Sequence, residues 1–353
     1  MIPDIVSRFM LKGTPVGCIE FGSGHINRTY LVATNEPHLY ILQDVNTSTF
    51  PDAEGLMRNV IQVTEHIRRK VDDPRRVLRL VPTVDGSMYI LQEGNRLWRV
   101  YEYVTGSICL DQAEGPGDFR QAGLAFGTFQ QQMSDFPADR LTEVIPDFHN
   151  TPKRYQAFHR AIEKDSLNRA AGVQEEINFF LEREASAGKL VGLLEAGELP
   201  LRVTHNDTKL NNVMLDEATR EPLCIIDLDT VMPGLAAYDF GDAIRFGASE
   251  AAEDETDLSK VRMSLELFQA FSEGFLSVCG GSLTPAERET LADGARLMTL
   301  ECGMRFLTDY LQGDTYFHIA RPNHNLDRAR TQIALVRDME DKWDRMQSII
   351  RDL

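Results

Sequence analysis

The sequence predicts an α+β protein with a small antiparallel sheet in its N-terminal part and a larger, mainly helical C-terminal part. Residues 14–105 contain short alternating or β-branched runs separated by turn residues, a pattern typical of strands. After Gly106 the apolar residues recur mainly at the spacing of helices. We therefore expect an N-terminal domain over residues 1–104 and a C-terminal domain over residues 105–353.

The N-terminal region is predicted to contain one helix among its strands. Leu56, Val60, Val63 and Ile67 recur at helical spacing, which predicts an amphipathic helix over about residues 53–70. The predicted strands lie at 15–21, 28–33, 39–43, 88–92 and 97–104. Together these segments indicate a small antiparallel sheet with one helix inserted.

The C-terminal region is predicted to be helical except around one short hairpin. The predicted helices lie at 119–133, 152–162, 173–184, 258–274, 285–311 and 325–351. Short apolar strands are predicted at 200–204 and 222–227, with another at 213–215. The turn-rich residues 216–221 between the last two strands indicate a hairpin.

Composition and charge limit the classes of partner. Apolar residues make up 42% of the chain and charged residues 26%, as in ordinary globular proteins. A formal charge of −17 argues against a nucleic-acid surface or an anionic membrane, both of which favour clustered lysine and arginine. No apolar run approaches the ~18–20 residues of a membrane helix, and the N-terminus lacks a signal-peptide pattern. We expect a cytoplasmic protein that is a monomer, with an oligomer left open.

The segment Thr204–Asn212 carries the strongest chemical pattern in the chain. Phosphoryl transfer needs a carboxylate near the attacking hydroxyl, ligands for Mg²⁺, and positive charge where negative charge develops. Asp207 as proton acceptor and Asn212 as metal ligand fit the arrangement H-x-D-x-x-x-x-N. Lys209 is placed to meet the γ-phosphate of ATP. Asp227 ends an apolar run and is predicted to be the principal magnesium carboxylate.

Two neighbours of these residues receive different interpretations. Asp229, two residues after Asp227, is predicted to face the same side of an extended segment and to be a second metal ligand. His205 is interpreted as a hydrogen-bonded structural residue, because a histidine before a loop most often has that role.

Asp239 begins the sequence Asp-Phe-Gly, which also occurs at the metal site of protein kinases. However, it lies 32 residues after Asp207, and the sequence around it is not typical of a strand end. We therefore interpret Asp239 and Asp242 as capping or pairing groups that hold Arg245.

A glycine-containing turn is predicted to contact the phosphates of the nucleotide. Gly22, Ser23 and Gly24 lie between two predicted strands, where backbone N–H groups can approach phosphate oxygens without obstruction by Cβ. The third position of the usual pattern is Asn27 rather than glycine, so the pattern is incomplete.

The strand lysine that usually grips the α- and β-phosphates is missing. Gln43 stands in the corresponding stretch and can hydrogen-bond phosphate without carrying charge. Arg58, on the following helix, is the candidate to supply that charge. Glu102 and Val104, where strands give way to helices, could present backbone groups to an adenine ring.

These motifs resemble the aminoglycoside phosphotransferase and choline kinase superfamily, and within it the N-acetylhexosamine 1-kinases. The resemblance rests on Gly24–Asn27, Tyr40–Gln43, Leu56–Val60, Arg202–Asn212, Ile225–Asp229, Phe240–Asp242, Arg245–Ser249 and Cys302–Leu307. It extends from about residue 10 to residue 340 and includes the glutamine at position 43. It implies a protein-kinase-like two-lobed fold, with ATP and Mg²⁺ as cofactors.

The resemblance also implies a sugar site at the lobe junction, beside Asp207. The matching positions are His25, Arg305 and Tyr316, with Phe246 as a candidate for the acetamido pocket. Arginine and histidine donate hydrogen bonds to ring hydroxyls, and tyrosine offers a ring face and a hydroxyl group. The implied reaction is phosphorylation of free N-acetylglucosamine or N-acetylgalactosamine at the anomeric hydroxyl.

The sequence leaves two alternatives open. The first is a kinase of the same fold that acts on homoserine, methylthioribose, choline or an aminoglycoside. Choline would favour an aromatic cage, which we do not find around Trp98 and Trp343, whereas polycationic aminoglycosides would suit the acidic surface. The second is a kinase-like binding protein without activity, against which the joint presence of Asp207, Asn212 and Asp227 argues.

Overall fold

A computed structural model describes residues 4–22 and 27–353 of the chain. These residues form the mixed α+β structure that the sequence predicts, and they divide into two compact units. The first unit contains the residues up to Cys109, Asp135–Pro146 and Val213–Met232. The second contains Leu110–Ser134, Asp147–Asn212 and Pro233–Leu353. The compact units are therefore discontinuous in sequence, whereas the predicted domains are continuous stretches.

The first unit is built on a five-stranded antiparallel sheet, and all five predicted strands are confirmed. They are β1 (Pro15–Glu20), β2 (Arg28–Thr34), β3 (Leu39–Val45), β4 (Ile90–Gln92) and β5 (Arg96–Glu102). The order is β1-β2-β3-β5-β4, so β3 and β5 are neighbours although β4 lies between them in the chain. In this register Gln43 of β3 lies opposite Thr29 of β2 and Arg99 of β5.

Helix α1 (Ala53–Arg68) confirms the predicted amphipathic helix. The side chain of Asp52 caps its first turn by accepting a hydrogen bond from the backbone of Gly55 at 2.8 Å. Leu56 and Val60 are buried on its apolar face. Burial of each such side chain contributes about 1.5–3 kcal/mol, which is the main reason this segment is held as a helix.

Five shorter strands form two smaller sheets. They are β6 (Ser107–Ile108), β7 (Arg202–Thr204), β8 (Val213–Asp216), β9 (Pro222–Ile225) and β10 (Met232–Gly234). β8 and β9 are the predicted hairpin, with Val213 opposite Ile225, and β6 extends it to three strands. β9 ends at Ile225, two residues before the predicted end. The hairpin thus begins directly after Asn212 and ends shortly before Asp227.

The second unit is mainly helical. Its helices are α2 (Pro116–Met133), α3 (Thr151–Lys164), α4 (Gln174–Leu181), α5 (Glu184–Ala187), α6 (Lys189–Glu195), α7 (Ala236–Gly247), α8 (Leu265–Cys279), α9 (Pro285–Glu289), α10 (Leu291–Gln312), α11 (His324–Asp341) and α12 (Trp343–Asp352). α7 and α10 approach closely, because a Cβ at Gly241 would lie only 2.3 Å from the carbonyl oxygen of Gly294. Within residues 4–22 and 27–353, no helix has the length and apolarity needed to cross a membrane.

Three predicted helices begin late or are interrupted. The helix predicted at 258–274 begins at Leu265, where Ser264 accepts a hydrogen bond from the backbone of Leu267. The helix predicted at 285–311 is divided at Thr290, and the one at 325–351 is divided at Lys342. Apolar periodicity records which face of a segment is buried, so it does not reveal where the backbone changes direction.

Candidate active site

Asp207 lies at the centre of a polar cluster in the loop that follows β7. The Lys209 ammonium lies 2.8 Å from Oδ1 of Asp207. The side-chain amide nitrogen of Asn212 donates hydrogen bonds to Oδ2 of Asp207 at 3.0 Å and to its backbone carbonyl at 2.9 Å. Because Nδ2 of Asn212 faces Asp207, its Oδ1 is the atom left to bind a metal ion. The structure thus brings together three of the predicted site residues.

Two carboxylates of helix α7 hold the backbone of this loop. Asp239 accepts the N–H groups of His205 at 2.9 Å and of Asn206 at 2.8 Å. Asp242 accepts the N–H group of Thr208 at 3.0 Å. Asn206 adopts a left-handed backbone with φ 64°, which asparagine tolerates better than most residues. The sequence predicts that both carboxylates are capping or pairing groups. It does not indicate that they accept hydrogen bonds from the loop around Asp207.

Replacing Asp239 with asparagine is expected to lower the free energy of unfolding by about 1–3 kcal/mol. Both oxygens of this buried carboxylate accept N–H donors, whereas asparagine would turn its NH₂ group towards one of them. Urea denaturation followed by fluorescence measures the change. The control is Asp257→Asn, which alters an exposed cap of a short 3₁₀ turn. Equal unfolding midpoints for Asp239→Asn and the wild-type protein would contradict this account of the loop.

His205 has the structural role that the sequence suggests. Its side chain is fully buried beside Phe126 and Phe129, with ring centroids 5.7 and 6.1 Å away. The backbone N–H of Asp207 donates to its Nδ1 at 3.3 Å, so Nδ1 carries a lone pair. His205 therefore helps to fix the backbone of Asp207.

Lys209 lies close to two carboxylates and an aromatic ring. Its ammonium is 5.7 Å from the centroid of Phe246. Arg245 pairs with Asp242 at 2.9 Å, as predicted. Burial disfavours the charged ammonium, but Asp207 and Asp242 outweigh this effect and raise the pKa of Lys209. Lys209 is therefore a fixed positive charge beside Asp207.

Arg305 of α10 is surrounded by three aromatic rings. Its guanidinium carbon lies 5.3 Å from the ring centroid of Phe148, 5.8 Å from that of Tyr316 and 5.5 Å from that of Phe317. In the described part of the chain, no hydrogen bond or ion pair joins Arg305 to another residue. Tyr316 is 65% exposed, so this arrangement opens towards solvent. The N–H donors of Arg305 are available to a ligand.

A second arginine adds positive charge to the same region. Arg154 donates from Nε and Nη2 to the carbonyl oxygen of Phe148 at 3.1 and 2.8 Å. Burial lowers the pKa of Arg154, and the nearby charge of Arg305 lowers it further. Two guanidinium groups therefore lie within electrostatic reach of each other, in a protein whose net charge is −17.

The charges of Arg245 and Arg305 both act on the thiol of Cys302. Burial raises the pKa of its thiol to about 11, while Arg245 and Arg305 both act to lower it. The charges of both arginines therefore act on one thiol on α10. Arg245 also pairs with Asp242 at 2.9 Å, and its guanidinium carbon lies 5.9 Å from the ring centroid of Phe246, the ring that Lys209 approaches at 5.7 Å.

Asp227, two residues after the end of the hairpin, adopts a left-handed backbone with φ 58° and ψ 58°. This conformation costs about 1–2 kcal/mol for most residues, and aspartate is among the few that adopt it. A 3₁₀ turn over Leu228–Thr230 follows. The prediction that Asp227 and Asp229 face the same side of an extended segment is therefore wrong, because the segment is not extended.

Asp229 is buried in a network of side chains within the first unit, with 3% of its surface exposed. Its Oδ1 lies 2.5 Å from Nη1 of Arg99, and its Oδ2 accepts a hydrogen bond from Asn27 at 2.6 Å. Both carboxylate oxygens thus have protein partners. The assignment of Asp229 as a second metal ligand stays a prediction.

Gln43 belongs to the same network. Nε of Arg99 donates to Oε1 of Gln43 at 2.9 Å, and Nε2 of Gln43 donates to Oγ1 of Thr29 at 3.2 Å. Burial disfavours a charge on Arg99, but Asp229 and other neighbours raise its pKa well above the usual value. Arg99 is therefore a permanent cation beside Gln43. The pattern that predicts β5 does not show that this arginine is buried or that it contacts Gln43.

The other residues predicted to bind the nucleotide occupy varied positions. Gly22 has φ +84°, a left-handed conformation that favours glycine, and no atom of residues 4–22 and 27–353 lies within 4 Å of a Cβ built there. Arg58 and Glu102 are exposed, whereas Val104 is buried. Three predicted residues lie outside the described part of the chain: Ser23, Gly24 and His25.

Residues 17–271 match a family model described as a phosphotransferase enzyme family. The match begins in β1 and ends in α8. It includes Asp207, Lys209, Asn212 and Asp227, whereas Arg305 lies beyond it.

Three solved structures are similar to the chain. An aminoglycoside phosphotransferase from Alicyclobacillus acidocaldarius has a TM-score of 0.67 at 14% identity, over 100% of this chain and 97% of that one. A microcompartment-associated aminopropanol kinase has a TM-score of 0.62 at 16% identity, over 97% and 96%. The amicoumacin kinase hAmiN, in complex with AMP-PNP, Ca²⁺ and Ami, has a TM-score of 0.63 at 14% identity, over 96% and 92%. These likenesses confirm the fold that the sequence resemblance implies.

Proposed function

The chain belongs to the phosphotransferase enzyme family, and on this premise we propose that it transfers the γ-phosphate of ATP to the anomeric hydroxyl of a free N-acetylhexosamine. The observation that carries the proposal is the cluster in which Asp207 contacts both Lys209 and Asn212. A carboxylate, a cation and a metal-binding amide are the groups that phosphoryl transfer requires.

Asp207 is the proposed proton acceptor. Its carboxylate keeps 28% of its surface exposed while Asn212 and Lys209 hold it in place. It would accept a hydrogen bond from the anomeric hydroxyl and take the proton as the new O–P bond forms and the bond to ADP breaks. Lys209 would stabilise the negative charge on the moving phosphoryl group, because its own charge is fixed.

Asn212 and Asp227 are the proposed ligands of Mg²⁺. Among the described residues, no three His, Cys, Asp or Glu side chains are grouped to hold a metal ion. Mg²⁺ in kinases is commonly held by one or two side chains together with phosphate oxygens and water, and amide and carboxylate oxygens are both suitable ligands. When bound, the ion would neutralise charge on the phosphates of ATP.

The surroundings of Arg305 favour an uncharged acceptor rich in hydroxyl groups. Hydroxyl oxygens accept hydrogen bonds from guanidinium groups, and the donors of Arg305 are available. Arg305 and Arg154 would repel a cation, such as choline or an aminoglycoside, that is placed directly beside their guanidinium groups. Aromatic rings that would suit an ammonium group are present, but they already surround Arg305.

Further contacts complete the proposal. Tyr316 beside Arg305 and Phe246 beside Lys209 are the proposed sugar contacts, and the sequence resemblance adds His25. The proposed nucleotide residues are Gly22, Ser23, Gly24, Gln43, Glu102 and Val104.

Product analysis tests the proposal. Purified protein is incubated with MgATP and with N-acetylglucosamine, N-acetylgalactosamine, choline or an aminoglycoside, and ADP release is followed. We expect ADP and an equal amount of a sugar 1-phosphate, whose phosphorus couples to the anomeric proton in ³¹P NMR. The Asp207→Ala protein serves as the control for contaminating kinases. ADP release with choline or the aminoglycoside and with neither sugar would contradict the proposed acceptor.

The Arg305→Gln variant is expected to raise the KM for the sugar about 10–100-fold and to leave the KM for ATP unchanged. Hydrogen bonds from a charged group contribute about 1.5–3 kcal/mol, and glutamine keeps some donor capacity without the charge. Initial rates at varied sugar concentration measure the effect. Arg337→Gln is the control, because Arg337 is 54% exposed and forms only a long ion pair of 3.6 Å with Glu175 among the described residues. An unchanged KM for the sugar would remove Arg305 from the acceptor site.

A further inference from the structure

A buried ion pair in the first unit connects two positions that the proposed function assigns to the nucleotide and the metal. Arg99 on β5 is 1% exposed, and its Nη1 lies 2.5 Å from Oδ1 of Asp229. Its Nε donates to Oε1 of Gln43 at 2.9 Å. One guanidinium group therefore contacts both the residue that replaces the strand lysine and the turn that contains Asp227.

The contact with Arg99 fixes the orientation of the Gln43 amide. A guanidinium group can only donate, so the atom of Gln43 that faces it must be the oxygen. The amide nitrogen is consequently turned towards Thr29, to which it donates at 3.2 Å. A side-chain amide nitrogen carries two N–H groups, so Gln43 keeps a second donor for a phosphate oxygen.

Asp229 extends the network to the end of the glycine-containing turn. Its Oδ2 accepts a hydrogen bond from the side chain of Asn27 at 2.6 Å. Oδ1 of Asn27 in turn accepts the backbone N–H of Asn46, which follows β3, at 3.0 Å. The turn at 227–229, the residue before β2 and the end of β3 are thus joined through one buried carboxylate.

The free energy of unfolding alone does not explain the presence of this buried ion pair. Apolar residues of similar volume often replace a buried ion pair without loss of stability, because both charges must be removed from water to form it. A cation held between Gln43 and Asp229 does, however, place positive charge directly opposite position 43 on the neighbouring strand. Arg58, the candidate suggested by the sequence, is exposed on α1.

We propose that Arg99 is a positioning residue for the nucleotide, which orients the Gln43 amide and, through Asp229, the turn that carries Asp227. Because the charge of Arg99 is paired with Asp229, its proposed role is to orient these groups and not to supply a free charge at position 43. In this account Asp229 is the partner of Arg99 and is not a metal ligand. The inference rests on the proposed use of ATP, but it does not depend on the identity of the acceptor.

A pair of variants separates positioning from packing. Arg99→Met leaves Asp229 buried without its cation, so we expect a lower melting temperature and weaker binding of MgADP. Arg99→Met combined with Asp229→Leu removes both charges, so we expect the melting temperature to recover. The dissociation constant of MgADP, measured by calorimetry, should remain about tenfold higher than in the wild-type protein, because Gln43 has lost its orienting contact.

The remaining measurements make the test specific. Arg96→Met removes an exposed arginine of the same strand that pairs with Asp44, and it should leave MgADP binding unchanged. Where an acceptor is found, its KM should stay unchanged in the double variant while the KM for ATP rises. Wild-type affinity for MgADP in the double variant would overturn the proposal. If the wild-type protein binds MgADP but phosphorylates neither sugar, only the proposed acceptor is refuted. If it does not bind MgADP, the proposed function and the proposed role of Arg99 are both refuted.

Discussion

The Asp207→Ala variant is expected to phosphorylate its acceptor about 10²–10⁴ times more slowly than the wild-type protein, the factor that a general base typically contributes. The loss should appear in kcat, because Asp207 acts on the hydroxyl proton as the transition state forms. The chain should stay folded, since the Asp207 carboxylate is partly exposed and the loop is also held by Asp239 and Asp242.

Steady-state ADP release at saturating MgATP and sugar measures kcat, and circular dichroism at rising temperature reports folding. Asp338→Ala is the matched control. Asp338 is 20% exposed and pairs with Lys342 at 2.6 Å on α11, so the variant also removes a partly exposed Asp–Lys contact. A folded Asp207→Ala protein with a kcat near that of the wild-type protein would exclude Asp207 as the proton acceptor.

Replacing Asp227 with asparagine is expected to lower kcat/KM for MgATP by roughly 10²–10³-fold, because metal ions supply several kcal/mol of charge stabilisation in the transition state. Asparagine tolerates the left-handed backbone that Asp227 adopts at φ 58°, so the turn should keep its shape while the charge is lost. Weaker metal binding also predicts that a higher Mg²⁺ concentration restores part of the activity.

Initial rates at varied Mg²⁺ concentration test this expectation. Asp165→Asn is the matched control, because Asp165 is also an aspartate with positive φ and ends helix α3. Its Oδ1 accepts the backbone N–H of Arg169, a role that asparagine can keep. If Asp227→Asn and the control respond to Mg²⁺ alike, Asp227 is not the principal ligand.

Much of the secondary structure of this chain was predictable from local apolar patterns, but helices α6 and α7 and strands β6 and β10 were not predicted. Strands β1, β2, β3, β4 and β5, helix α1 and the β8–β9 hairpin lie where the apolar runs and turn residues place them. The breaks at Thr290 and Lys342 were not predictable, because apolar residues continue on the buried face across both positions. The left-handed turn at Asp227 was also missed, since an apolar run does not show the residue at which the chain stops being extended.

In the candidate site, too, the local contacts were predictable from the sequence and the long-range contacts were not. The spacing of Asp207, Lys209 and Asn212 places them in one short loop, and the structure shows them in contact. The contacts that hold this loop come from Asp239 and Asp242, more than 30 residues later in the chain. Sequence reasoning identified these two as pairing groups for Arg245, which is confirmed for Asp242, but it did not indicate that both hold the loop around Asp207.

The sequence by itself determined which chemical groups this protein has and the order in which strands, helices and the loop around Asp207 follow one another. Only the tertiary structure decided that Arg99 is buried between Gln43 and Asp229, and that Arg305 lies among aromatic rings with its donors available. The physical reason is distance along the chain. Backbone conformation depends on neighbouring residues, whereas the burial and pairing of a charge depend on strands and helices that fold together from far apart.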